Sequence, residues 1–215
     1  QLGLGILDAN GLTVRDCEAV RGGALAADEA DVSLVASEVV DSHAFHEGGG
    51  LYVEGGSLVG SGLRLAGLTA GDHGGALSML ASQADLDHLL VADSSAPEAG
   101  GVFLAHTGIV LENATFGHLS GDPEALWTDG TGGLVVRDSL FVARTGPLFG
   151  TSEPGFTPLL EGGGYFGVDP LGEPFALDPL DPLFDFGTTS DDGDWTNDDW
   201  GETTSQPGDP GAYGG

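Results

Sequence analysis

The chain contains no lysine. Its permanent cations are Arg15, Arg21, Arg64, Arg137 and Arg144, set against 34 acidic residues, and the formal charge is −29. Without a basic stripe there is nothing to displace counterions from phosphates, which excludes nucleic-acid binding. Attachment to an anionic membrane surface is excluded on the same ground. Cys17 is the single cysteine, so no intramolecular disulfide framework exists. It reads as a small core or turn residue rather than a functional thiol, since Arg15 and Arg21 are the only positive residues near it in sequence. No run of 18 apolar residues is present, so no segment reads as a membrane-spanning helix. The acidity fits either a saline or calcium-rich setting or the solubility requirement of a secreted protein.

What the chain has in abundance is glycine, at 39 positions, and much of it is periodic. Glycine pairs at 22-23, 49-50, 74-75 and 100-101 each open a short apolar run, at intervals of 27, 25 and 26 residues. A second element runs in phase: apolar, any, apolar, any, small or polar, any, any, apolar. Its copies are Leu12/Val14/Asp16/Ala19, Val32/Leu34/Ala36/Val39, Leu58/Gly60/Gly62/Leu65, Ala84/Leu86/His88/Val91, Ile109/Leu111/Asn113/Phe116 and Leu134/Val136/Asp138/Phe141. The first interval is short and is read as a missing loop before Gly22. Alternation at i and i+2 marks a strand with one buried face, and the step to i+7 implies a bend near the small or polar position.

A period of this size built from short strands is the signature of a solenoid, in which no single repeat buries its own apolar face. Six coils at about 4.8 Å per rung make a rod on the order of 30 Å long. Val14, Leu34, Leu86, Leu111 and Val136 are expected to form one inward column. Asp16, Ala36, Gly62, His88, Asn113 and Asp138 share one phase and read as turn residues bonding nearby backbone.

The segments GGAL at 22-25 and 74-77 and GGGLYV at 48-53 resemble the right-handed parallel β-helix repeats of bacterial surface proteins, including the polymorphic outer-membrane protein group. A second resemblance lies at the end of the chain, where DPLDPLFDFG at 178-187 and PGAYGG at 210-215 are similar to the terminal module of secreted β-helix proteins. The resemblance implies an all-β, right-handed parallel β-helix over residues 1-145 and an irregular capping segment over 146-215. It also implies an envelope anchor downstream, and the start at Gln1, already inside a coil, leads to the expectation of earlier coils and a signal peptide upstream.

Several constellations bear on chemistry. Asp85, Asp87 and Asp138 lie on or near strands and offer carboxylate pairs of the kind glycoside hydrolysis needs. A polyuronate lyase would need cations and a base, which five scattered arginines supply poorly. His43, His46 and Glu47, with Asp41 before them and Asp72 and His73 a coil later, read either as a zinc site across adjacent loops or as solvated loop residues. Beyond Thr145 come 14 acidic residues, no basic one and 10 of the 16 aromatics, a mix that points to a partly folded cap over the last coil. Within it Asp191, Asp192, Asp194, Asn197, Asp198 and Asp199 cluster oxygen ligands suited to calcium, with a solvated acidic loop as the alternative.

The resulting expectation is a non-catalytic structural or adhesive β-helix domain of a bacterial surface or secreted protein, with no catalytic residues assigned. It is placed outside the cell or on its surface, associated with the outer membrane. Its partners would be cell-surface glycans or proteins. The alternative is a carbohydrate-active β-helix, a polysaccharide hydrolase or lyase using carboxylates on the coil faces.

Overall fold

The computed structural model describes residues 2–143, 146–153, 156, 159–161 and 165–168. They form a parallel β-solenoid of about six coils, with no helix among the described residues and every strand pairing parallel. Each coil has three strand-bearing faces and a short fourth side. The first face stacks 25–28, Leu51–Glu54, Leu77–Leu80, Val102–Ala105, Leu126–Thr128 and Phe149–Thr151. The strand Leu2–Asn10 begins under the first face, and the second stacks 6–10, 31–35, 57–61, 83–87, Gly108–Glu112, Leu134–Arg137 and Leu159–Glu161. The third runs from Thr13–Arg15 through 38–40, 63–66, 89–92 and Thr115–Gly117 to Leu140–Ala143 and Tyr165–Val168. Glu18–Arg21, His43–Glu47 and Thr69–Ala70 build the fourth side. Residues 169–215, which include the expected calcium ligands, lie outside the described residues.

Residues with positive φ turn the chain at four corners. Leaving the first face they are Leu4, Glu29, Gly55, Ala81, His106 and Gly130; leaving the second, Gly11, Ala36, Gly62, His88, Asn113 and Asp138. Leaving the third face they are Asp16, Asp41, Gly67, Asp93 and His118, and the fourth side ends at Gly22, Gly48, Gly74 and Ala99. Left-handed backbone is tolerated best by Gly, Asn, Asp and His, which dominate these columns.

At the fourth corner the two glycines of a pair serve different ends. A Cβ on Gly22, Gly48 or Gly74 would strike the carbonyl of Leu25, Leu51 or Leu77. A Cβ on Gly23, Gly49 or Gly75 would strike the backbone of the next coil, so there the coils approach backbone to backbone. The equivalent of Gly22 is therefore Gly48, not Gly49, and then Gly74 and Ala99.

Two expectations about the first coil are corrected. Leu7, not Leu12, stacks under Val32, and Ala9, not Val14, under Leu34, because Leu2–Asn10 pairs along its whole length with the second coil. The motif is present there as Leu7/Ala9/Gly11/Val14, and no loop is missing. Val14 stacks on Val39 instead, and Asp16 turns a different corner from Ala36.

From the second coil onward the column is as expected. Leu34, Leu86, Leu111 and Val136 are buried and stack in register through Gly60. A third-face column, Val39, Leu65, Val91, Phe116 and Phe141, ends in two rings stacked 4.5 Å apart. Burial of these side chains, each of which contributes about 1.5–3 kcal/mol, is the main stabilising term.

Buried hydroxyls complete the corners. Ser37, Ser42, Ser82, Ser94, Thr107 and Ser139 each follow a positive-φ residue, and each is at most 5% exposed. Every one donates to the carbonyl two residues back. Every one also accepts a backbone N–H from the preceding coil: those of Leu12, Cys17, Gly56, Leu68, Ser82 and Ala114 in turn. At a corner the ladder is interrupted, and the hydroxyl pairs a buried N–H that would otherwise be orphaned.

Candidate functional site

The first face and the fourth side meet at the glycine corner, and outward side chains of the face line up along that junction. Tyr52, Ser78, Phe103 and Trp127 occupy one register position on successive coils. In an ordinary exposed strand these would face water. Here Tyr52, Ser78 and Phe103 are buried. His73 from the fourth side stacks on Phe103 at 4.6 Å, and Phe103 on Trp127 at 4.6 Å, giving a three-ring pile that runs along the rod.

Toward the first coil the same position is held by Ala26, whose small side chain leaves room. A half-open cavity of about 350 Å³ lies there, between Val20 and Arg21 of the fourth side and Ala26, Ala27, Asp28, Tyr52 and Glu54 of the first face. Its size is at the lower end of the range that small-molecule sites occupy. Tyr52 and Glu54 share it because residues i and i+2 of a strand point to the same side.

These side chains form one hydrogen-bonded unit. Arg21 Nη1 donates to the Tyr52 hydroxyl at 2.8 Å, and that hydroxyl donates to Glu54 Oε2 at 2.7 Å. Arg21 also pairs with Glu54 Oε2 at 3.4 Å, and its guanidinium carbon lies 5.0 Å from the centre of the Tyr52 ring. Burial, and then the Glu54 carboxylate that accepts its proton, pushes the Tyr52 phenol up to about 12. The hydrogen bond to Tyr52, with the charges of Glu47 and Glu54, raises Arg21 above its ordinary value. Asp28 pairs in register with Glu54 on the neighbouring rung and has no partner among the described residues.

The residues singled out from sequence go elsewhere. His43 bonds Thr69 Oγ1 at 2.7 Å, His46 pairs with Asp72 at 2.7 Å and His73 with Glu98 at 2.8 Å, each across one coil boundary. Asp41 turns a corner and Glu47 approaches Arg21. The proposed ligands are thus distributed into pairs. Among the described residues no group of three or more His, Cys, Asp or Glu gathers to hold a metal.

Asp87 accepts from Asn113 at 3.0 Å and pairs with His88 at 2.8 Å, while Asp85 is exposed on the second face. His88, Asn113 and Asp138 sit at the second corner, as their common phase implies. Cys17 follows corner residue Asp16, with its sulfur 3.3 Å from the Arg15 carbonyl. It is a turn residue. Among the described residues no helix is long and apolar enough to cross a membrane.

Reading the sequence missed the Arg21–Tyr52–Glu54 unit, whose members are 31 and 33 residues apart. A usable signal was there. Tyr52 and Glu54 alternate with apolar Leu51 and Val53 at the outward positions of a strand, and Arg21 closes the strand that precedes the glycine corner. Comparison with protein-family models, with curated proteins and with solved structures gives no match for this chain.

Proposed function

We propose that the chain is a non-catalytic structural or adhesive solenoid module, displayed outside the cell on a bacterial surface or secreted from it. The observation that carries this reading is where its polar side chains go. Arg15 and Arg64 both bind Glu38, so that three successive coils are tied by one carboxylate. His46–Asp72, His118–Asp93, Asn113–Asp87 and Ser57–Asp31 each join one coil to the next. Exposed pairs of this kind contribute little singly, about 0–1 kcal/mol. Together with His73–Glu98 and His106–Asp129 they recur at successive coil boundaries, which suits a spacer that holds a binding surface away from its support. The strong negative charge keeps such a rod soluble and apart from its neighbours.

The test is whole-cell labelling of the producing bacterium with antibody to this chain, with and without external protease. Surface signal that protease removes is expected; signal only after lysis would overturn the placement.

One observation favours a second reading, a polysaccharide-cleaving solenoid. Asp28 and Glu54 are carboxylates on consecutive rungs beside the same cavity. Release of new reducing ends from a polysaccharide panel, abolished by Glu54→Gln, would establish it and displace the first reading.

A further inference from the structure

We infer that the cavity at the first coils, between Arg21, Asp28, Tyr52 and Glu54, binds an uncharged polyhydroxylated ligand, a segment of neutral glycan.

The argument begins with charge. A simple anion entering the cavity meets Asp28 and Glu54 on the first face, within a chain of formal charge −29. A simple cation meets the Arg21 guanidinium, which stands at the same wall. An uncharged ligand meets no like charge. What the walls offer is hydrogen-bonding capacity of both senses. Arg21 uses Nη1 for Tyr52 and Glu54, so its remaining N–H donors have no partner among the described residues. Asp28 contributes a carboxylate acceptor that no described residue engages. Vicinal hydroxyls of a sugar are at once donors and acceptors, and they match this alternation.

Preorganisation is the second part of the argument. Tyr52 is 4% exposed and locked between Arg21 and Glu54, so binding does not have to order it, and little side-chain entropy is lost. Val20 and Ala26 supply apolar surface for the C–H face of a ring. Val20 is 60% exposed.

This inference names the ligand class for the adhesive reading and rests on that reading only for where the glycan is met. Binding is measured with the isolated 215-residue chain, so a failure of surface display leaves it standing.

The experiment is titration calorimetry of the 215-residue chain with cello-, malto-, xylo- and manno-oligosaccharides. Polygalacturonate, spermidine and glycine betaine stand as anionic, cationic and zwitterionic comparisons. Saturable binding to at least one neutral oligosaccharide is expected, with none to the three comparisons. Asp28→Asn should weaken it about tenfold or more, the effect of losing one hydrogen bond to a charged group. Because the Asp28 side chain has no partner among the described residues, the melting temperature should stay unchanged beside that loss. Ala26→Leu, which fills the cavity beside Tyr52, should abolish binding, and a retained melting temperature would show that the fold is intact. Absence of saturable binding to every neutral oligosaccharide, preference for any of the three comparisons, or wild-type affinity in both variants would overturn the inference.

Discussion

Gly60 and Leu86 occupy facing positions on consecutive rungs of the same inward column, and exchanging their sizes gives a quantitative test of the packing. Leu86 is fully buried, and its Cδ2 lies 2.8 Å from where a Cβ on Gly60 would stand. The leucine therefore fills space that its neighbour leaves empty. Leu86→Ala should cost about 4–5 kcal/mol, the upper part of the range for buried leucines, because glycine has no side chain with which to relax into the void. Gly60→Ala alone sets two effects against each other. Restricting the unfolded chain stabilises by about 0.4–1 kcal/mol, while overpacking against Leu86 costs about 1–3 kcal/mol. Its other neighbour, Leu63, is at ordinary contact distance. The net is a loss of about 1 kcal/mol. In the Leu86→Ala background the clash is gone and the methyl fills part of the cavity, so the same substitution should stabilise by about 1 kcal/mol. The coupling of about 2 kcal/mol lies within the range for residues in contact. Urea titrations of the four proteins, followed by circular dichroism and fitted with a common slope, would measure it. A Gly60→Ala effect of the same sign and size in both backgrounds would refute the facing arrangement.

Three further outcomes are expected. Ser139→Ala should lose about 1–3 kcal/mol, because the buried N–H of Ala114 is left without its acceptor, whereas Ser139→Thr retains most of the stability; equal stability of all three proteins would show that the hydroxyl is not needed there. Tyr52 keeps its proton above the ordinary 10.0 up to about 12 when folded, so the unfolded state releases its proton first and stability falls as pH rises through that window. Phenolate absorbance of wild type minus Tyr52→Phe should titrate near 12, and a midpoint near 10 would contradict the Arg21–Tyr52–Glu54 geometry. Asp129 is partly desolvated, which opposes ionisation, yet hydrogen bonds from the Thr131 backbone and hydroxyl and the His106 N–H bring it below 3.8. Its contribution is present above 3.8 and is lost as pH falls through the lower folded value. Asp129→Asn should therefore shrink the acid-induced drop in melting temperature, and an unchanged drop would count against those bonds.

The solenoid was legible because its inward residues repeat with little interruption. Leu34, Leu86, Leu111 and Val136 recur at one phase of the repeat, and the strand register agrees with it. The first coil was misread because two overlapping frames satisfy the same pattern there: Leu7/Ala9/Gly11/Val14 and Leu12/Val14/Asp16/Ala19. Only strand pairing distinguishes them. The four corners were half-visible. Glycine marks left-handed backbone plainly, but Ala36, Ala81 and Ala99 adopt it against their own preference, imposed by stacking on both sides. The histidine cluster failed because each ring is taken by a residue one coil later, His43 by Thr69 and His46 by Asp72, which lie three residues apart along the next coil. The cavity was hardest to see, since Arg21 and Tyr52 come together only when a coil closes.

The central claim, one coil stacked in register on the next, is tested most directly by spin-label distances along the outward column Ser33, Val59, Asp85, Val110, Val135 and Leu159. In a Cys17→Ser background, label pairs at 33/110, 33/135 and 33/159 span three, four and five rungs. The separations should be about 14, 19 and 24 Å, rising by about 4.8 Å each time. Distances that do not rise in equal steps, or that reverse as a strand doubling back would make them, would contradict the account.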